Sequence, residues 1–166
     1  MTSTLTDFQL PPYREIPDVG LYLEQVARFI EDAVRPLPGA ALTTSMISNY
    51  VKKDIVPNPV KKLYNRELIA SLLFIAVAKS VLSLEDIQML LTLRAANHEA
   101  EVSYEEFRTR LTEAFGAAAK GGVLAASPAD APVERRLLHA TLAAVAHKAQ
   151  LDAQFAALRE TEPAEE

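Results

Sequence analysis

Apolar and polar positions alternate along this chain with a helical period of three to four residues, and the pattern divides it into six segments. Leu21, Leu23, Val26, Phe29, Ile30 and Val34 recur at helical spacing, with Glu24, Arg28, Glu31 and Asp32 between them. That predicts a helix from Val19 to Val34, opened by Pro17-Asp18 with Asp18 as N-cap and closed by Pro36, Pro38 and Gly39. Thr43 is placed to cap a short helix reaching Lys53, which would bury Met46, Ile47, Tyr50 and Val51. Pro57 and Pro59 forbid its continuation, so "VPNPVKKLY" reads as a loop or very small hairpin. Asn65 then caps a third helix that is apolar almost all round, from Leu68 to Val77, the mark of a central helix.

The second half is read in the same way. "SLED" at 83–86 has the form of a capping box with Asp for Glu and starts a helix to about Arg94. "SYEE" at 103–106 predicts the start of the next, which runs to the Gly121-Gly122 stop. After an Ala/Ser/Pro stretch, one long helix runs from about Pro132 to Leu158. It carries Leu138, Leu142, Val145 and Ala149 on one stripe and Leu137, Ala144, Leu151, Phe155 and Leu158 on a second. No strand pattern or internal repeat is found. The expected fold class is all-α, with an arm at 1–17, a helix-turn-helix unit at 18–97, a C-terminal helical region at 98–160 and a disordered tail at 161–166.

Composition narrows the chemistry. The 166 residues include no cysteine, which excludes disulfides, thiolate metal sites and a cysteine nucleophile. No apolar run reaches transmembrane length and the N-terminus lacks the pattern of a signal peptide, so a cytoplasmic protein without a membrane partner is expected. The net charge is −5, but it is unevenly spread: 45–68 carries +3, whereas 99–166 carries −5. A local basic footprint inside an acidic chain is what a nucleic-acid contact requires.

Catalysis finds no support in the pattern. The pairs Glu85-Asp86 and Glu105-Glu106 fall in predicted first turns, where they complement the helix dipole. His139 and His147 stand eight apart, too far for one metal, and His98 has no partner nearby in sequence. Neither an enzyme, a metal site nor a cofactor is expected.

The order of short helix, basic proline loop, apolar helix and capped helix resembles the DNA-binding domain of MerR-type regulators over about residues 43–91. "YVKKDIVP" (50–57) matches the end of the recognition helix and its turn. "KLYNREL" (62–68) matches the wing tyrosine and following cap, and "SLEDI" (83–87) the closing signature. Ser48 stands where the family has its basic reader, Asn49 replaces one of its paired tyrosines, and Asp54 replaces the glycine of the turn. The resemblance implies a dimeric transcriptional regulator with double-stranded DNA as partner. Thr44, Ser45, Ser48 and Asn49 would then face the bases, and Lys52, Lys53, Lys61, Lys62 and Tyr64 the phosphates. It also implies dimerisation through the C-terminal helix and room for a small-molecule effector. The "LPPYREIPD" arm and the "TTSMISNYVK" core are similar to an uncharacterised bacterial domain-of-unknown-function family. The alternative is a helical protein–protein interaction module that does not bind DNA.

Overall fold

Three side-chain caps expected from the sequence set the starts of three helices in the computed structural model, which describes residues 5–161. Thr43 Oγ1 accepts from the Met46 N–H at 3.1 Å, Asn65 Oδ1 from Leu68 at 2.8 Å and Ser83 Oγ from Asp86 at 3.1 Å. The described residues form six α-helices: α1 (Leu23–Ala33), α2 (Thr44–Lys52), α3 (Arg66–Ala78), α4 (Leu84–Asn97), α5 (Ala100–Ala119) and α6 (Val133–Thr161). A single 3-10 turn, Tyr13–Glu15, precedes them, and extended pairing is limited to two isolated bridges. The fold is all-α. No helix among the described residues is long and apolar enough to cross a membrane.

The central helix is α3, buried continuously from Leu68 to Ala78 apart from the half-buried Ser71. It packs against α1, α4, α5 and α6, while α5 and α6 lie along each other. One apolar core therefore runs from Val26 and Ile30 of α1 through Leu72 and Leu73 of α3 to Leu111 of α5 and Leu138 of α6. The first stripe expected on the last helix, Leu138, Leu142, Val145 and Ala149, is buried in it.

Two helix starts differ from the sequence reading. The first helix begins at Leu23, five residues beyond Asp18, because Gly20 takes φ +83° and the Leu21 backbone pairs with Tyr64 instead of entering the helix. The Tyr22 N–H is capped by Gln25 Oε1 at 2.9 Å. The fifth begins at Ala100, so "SYEE" lies inside it: the Ser103 N–H already bonds the Glu99 carbonyl, and Tyr104 is buried. The fourth helix continues to Asn97 rather than ending near Arg94. Thr161 closes α6, and the rest of the tail expected to be disordered lies outside the described residues.

The arm docks on its own chain. The Tyr13 N–H donates to Glu105 Oε1 at 2.8 Å, the Tyr104 hydroxyl donates to the Pro11 carbonyl at 2.6 Å, and Phe8 meets Phe115 edge-on at 5.7 Å. Arg66 closes the other end by donating to the carbonyls of Ile16 (2.8 Å) and Arg14 (3.1 Å), with its guanidinium 5.6 Å from the Tyr13 ring centre. Pro11 and Pro12 restrict the backbone that leads into the 3-10 turn, and the carbonyls of Pro11, Arg14 and Ile16 accept from these side chains.

Candidate nucleic-acid interface and a buried polar cluster

The basic segment resolves into a helix, a turn and a small wing. At the end of α2 the chain reverses through Asp54 at φ +57°, with the Ile55 N–H on the Tyr50 carbonyl at 2.9 Å. This is the conformation that glycine adopts freely and that Asp tolerates better than most residues. Gln88 of α4 holds the turn by donating to the Asp54 carbonyl at 3.1 Å.

The wing is a two-residue hairpin. Val60 pairs with Leu63, the Leu63 N–H donates to the Val60 carbonyl at 2.9 Å, and both residues between them have positive φ, Lys61 +52° and Lys62 +66°. Two consecutive positive φ values define a type I′ turn, a role usually filled by Asn-Gly. Placing lysines there is strained and holds both side chains out at the tip. The wing is fastened to the entry of α1 by reciprocal backbone bonds between Leu21 and Tyr64, 3.0 and 2.8 Å. Gly20 allows the close approach, since a Cβ there would meet Leu63 at 3.1 Å.

Among the expected contact residues, Ser45, Ser48, Lys52, Lys53, Lys61 and Lys62 are exposed, and Thr44 and Asn49 are half-buried. None of the four lysines forms an ion pair among the described residues. Tyr64 differs from the expectation. It is 5 % exposed, burial pushes its phenol pKa up, and it serves to pack and to pair with Leu21 rather than to reach a phosphate. Tyr50, 3 % exposed, is likewise a core residue. Arg66 is committed to the arm, so within the basic segment the cations left facing solvent are the four lysines.

A second polar feature appears only in three dimensions. Arg94 of α4 is 4 % exposed and donates through Nη1 to Glu134 (2.7 Å) and Glu106 (3.1 Å), through Nε to the Ser103 hydroxyl (3.1 Å) and through Nη2 to the Ser103 carbonyl (3.0 Å). His98, one turn on, places Nε2 2.7 Å from the second oxygen of Glu134. Arg135 adds two bonds to Glu106, at 3.2 and 3.3 Å. Burial raises the Glu106 pKa, but the Arg135 hydrogen bond and the Arg94 charge outweigh it, so the net shift is downward. The spacing of four between Arg94 and His98 was the sequence signal for a shared face; the partners on α5 and α6 had none.

The donor atoms of His98, Glu106 and Glu134 lie within 4.8 Å of one another, close enough to suggest a cation site. The Arg94 guanidinium already bonds both carboxylates, and a metal would have to displace it into the apolar interior. The geometry is that of a structural charge network. His139, by contrast, is held by a 2.8 Å contact between Nδ1 and the Ser127 hydroxyl, with Nε2 buried and without a hydrogen-bond partner among the described residues.

Beside this network lies a cavity of about 400 Å³ between α3, α4 and α5, with Phe74, Arg94, His98, Tyr104 and Phe107 among its walls. A neighbouring cavity of about 340 Å³ reaches from the wing to α4, and Glu67, Ser71, Leu91 and Ala95 border both.

Residues 11–110 match the family model described as Domain of unknown function (DUF1836). The chain belongs to the DUF1836 family. The match opens at the proline arm and ends within α5, so it takes in the arm, α2, the wing and the central helix, while α6 lies beyond it. It also contains Arg94, His98 and Glu106, whereas Glu134 and Arg135 come from outside the matched region. No curated protein and no solved structure matches the chain.

Proposed function

We propose that this protein is a DNA-binding transcriptional regulator of MerR-like winged helix-turn-helix type. The observation that carries the reading is the Leu21–Tyr64 pairing, which fastens a two-residue wing with unpaired Lys61 and Lys62 at its tip to the entry of α1. The resulting order is paired entry, helix, helix, wing, central helix and capped helix. In this reading α2 is the recognition helix and α1 serves as the first helix of the helix-turn-helix, since Pro36, Pro38 and Gly39 in "RPLPGAAL" (35–42) leave no helix directly before α2. Thr44, Ser45, Ser48 and Asn49 offer hydrogen bonds to bases or phosphates. The lysines of α2 and the wing neutralise phosphates and supply most of the affinity.

The partner is a second copy. The outer stripe of α6 is exposed at Leu137 (41 %), Leu151 (49 %), Phe155 (50 %) and Leu158 (61 %), and every residue from Ala153 to Thr161 is exposed. An antiparallel pairing of two α6 ends buries the same patch on each copy, as two-fold symmetry requires. His147 and Lys148 interrupt a strict heptad, so the contact is globular rather than a long coiled coil. This stripe also favours the second reading, an interaction module that does not bind DNA.

Gel-shift titration against fragmented genomic DNA at several salt concentrations separates the two. The regulator binds at low salt and loses binding steeply with salt and on Lys61→Ala plus Lys62→Ala. Absence of binding at low salt selects the interaction module, and binding indifferent to both lysines overturns the winged reading of the DNA contact.

A further inference from the structure

The larger cavity has a built-in preference for charge. Its volume, about 400 Å³, falls among small-ligand sites, roughly 300–1,000 Å³. One wall is aromatic: Phe74 and Phe107 meet edge to face at 5.2 Å, and Tyr104 stands 5.9 Å from Phe107. Ala70 and Leu91 add apolar surface. Glu67 and Glu99 border the same space and reach solvent, which places their carboxylates at its mouth.

Neither carboxylate is engaged. Among the described residues, Arg14 pairs with Glu101, Arg94 with Glu106 and Glu134, and Arg135 with Glu106, leaving no cation on Glu67 or Glu99. Glu99 is the N-cap residue of α5, yet its side chain makes no capping bond. Arg94, the cation in the wall, is tied off by two carboxylates and by Ser103. The cavity wall carries Arg94, His98, Glu67 and Glu99; behind it Arg94 and Arg135 offset Glu106 and Glu134, which leaves the two carboxylates of Glu67 and Glu99 without a cation. That balance of −2 repels an anion and attracts a cation, and the face of an aromatic ring adds to the attraction.

We infer that this cavity binds a small aromatic cation, an amine or quaternary ammonium compound. Its ring packs against Phe74, Tyr104 and Phe107, and its charged end is held toward Glu67 and Glu99. The occupant would also touch Glu67, Ser71, Leu91 and Ala95, the border shared with the cavity under the wing. Filling one space therefore bears on the spacing of α3 and α4 beneath Lys61 and Lys62. That coupling rests on the DNA-binding reading; the ligand site does not.

Calorimetric titration of the full chain at low salt, with 2-naphthylmethylammonium and 2-naphthoate as probes, tests the site with one ring and two charges. The ammonium probe should bind at least about tenfold more tightly than the carboxylate. Glu67→Gln with Glu99→Gln should remove most of that preference, and Ala95→Phe at the exposed cavity wall should block the ammonium probe. Circular dichroism of each variant establishes that it is folded. Equal or tighter binding of naphthoate, no binding of the ammonium probe at millimolar concentration, or an undiminished preference in the folded double-Gln variant would overturn the proposal. Repeating the gel shift with the ammonium probe reads the coupling. An unchanged shift refutes the coupling alone, and an absent DNA complex refutes the regulator reading while the calorimetry stands.

Discussion

Arg94 Nη1 lies 2.7 Å from Glu134 Oε2, and the two side chains are only 4 % and 2 % exposed, the most deeply buried ion pair among the described residues. The pair joins α4 to α6, and through Glu106 and Ser103 it also ties in α5. Breaking such a pair leaves a charge stranded in an apolar interior. Arg94→Ala and Glu134→Ala are each expected to cost about 3–5 kcal/mol. The double variant should cost clearly less than the sum, because each single change already disrupts the shared network. Urea denaturation of the four proteins gives the coupling; simple additivity would show the two side chains to be energetically independent.

The wing separates stability from binding. Lys61 and Lys62 sit at positive φ, where a side chain costs about 1–2 kcal/mol relative to glycine. Replacing the pair with Asn-Gly, the sequence that a type I′ turn favours, should raise stability by about 1 kcal/mol or more. Under the proposed DNA-binding function, the same variant should lower DNA affinity and reduce the salt slope of binding by about 2, one unit for each phosphate that is no longer neutralised. Unfolding midpoints and gel shifts on one preparation check both, and a stabilised variant with unchanged DNA binding would remove the wing from the interface.

Phe155 is half exposed at the centre of the Leu151–Phe155–Leu158 stripe. If the proposed dimer forms through this stripe, Phe155→Asp should yield a folded monomer and abolish any dependence of Tm on protein concentration. Sedimentation equilibrium reads the change. A wild-type monomer at tens of micromolar would assign the stripe to a different partner.

The arm depends on Arg66. Its two hydrogen bonds to carbonyls carry a charge, so Arg66→Ala should cost about 1.5–3 kcal/mol. It should also open residues 11–17 to limited proteolysis. Protection equal to the wild type would mean that Tyr13 and Tyr104 hold the strap without it.

Acid should unfold the protein in two windows. Burial, followed by the Arg110 charge, holds the His139 imidazole below its ordinary value of 6.5. The native state therefore keeps this ring neutral while the unfolded chain takes up a proton. The contribution is complete above 6.5 and declines as pH falls from there through the lower folded value. Glu106 is depressed below 4.5 by its two arginines despite burial, and Glu105 by Arg108 and the Tyr13 N–H despite burial. Their contributions persist above 4.5 and are lost as pH falls below it. Stability curves against pH should show both declines, and His139→Gln should remove the upper one.

How much of this was legible beforehand follows from the range of each interaction. The starts of α2, α3 and α4 were readable because Thr43, Asn65 and Ser83 cap a backbone N–H only three residues on. The apolar α3 was readable as the central helix, and Asp54 as the turn residue, for the same local reason. The starts of α1 and α5 depart from the local pattern because their deciding contacts are distant. Leu21 is held by Tyr64, and Ser103 is turned to Arg94 rather than to its own backbone. "SYEE" satisfies a local capping rule, but tertiary burial of Tyr104 draws that segment into the helix interior.

By itself the sequence determined the helical class, the caps of α2, α3 and α4, the basic segment between Ser45 and Leu68, and the absence of thiol chemistry, since all of these depend on residue type and short spacing. Only the tertiary structure decided which polar groups are engaged. Tyr64 and Arg66 are consumed by packing and by the arm, leaving four lysines exposed. Arg94, His98, Glu106 and Glu134 meet from three helices across up to 40 positions, and Glu67 and Glu99 are brought to one cavity mouth. Charge compensation depends on distances of a few ångströms, and separation along the chain does not encode them.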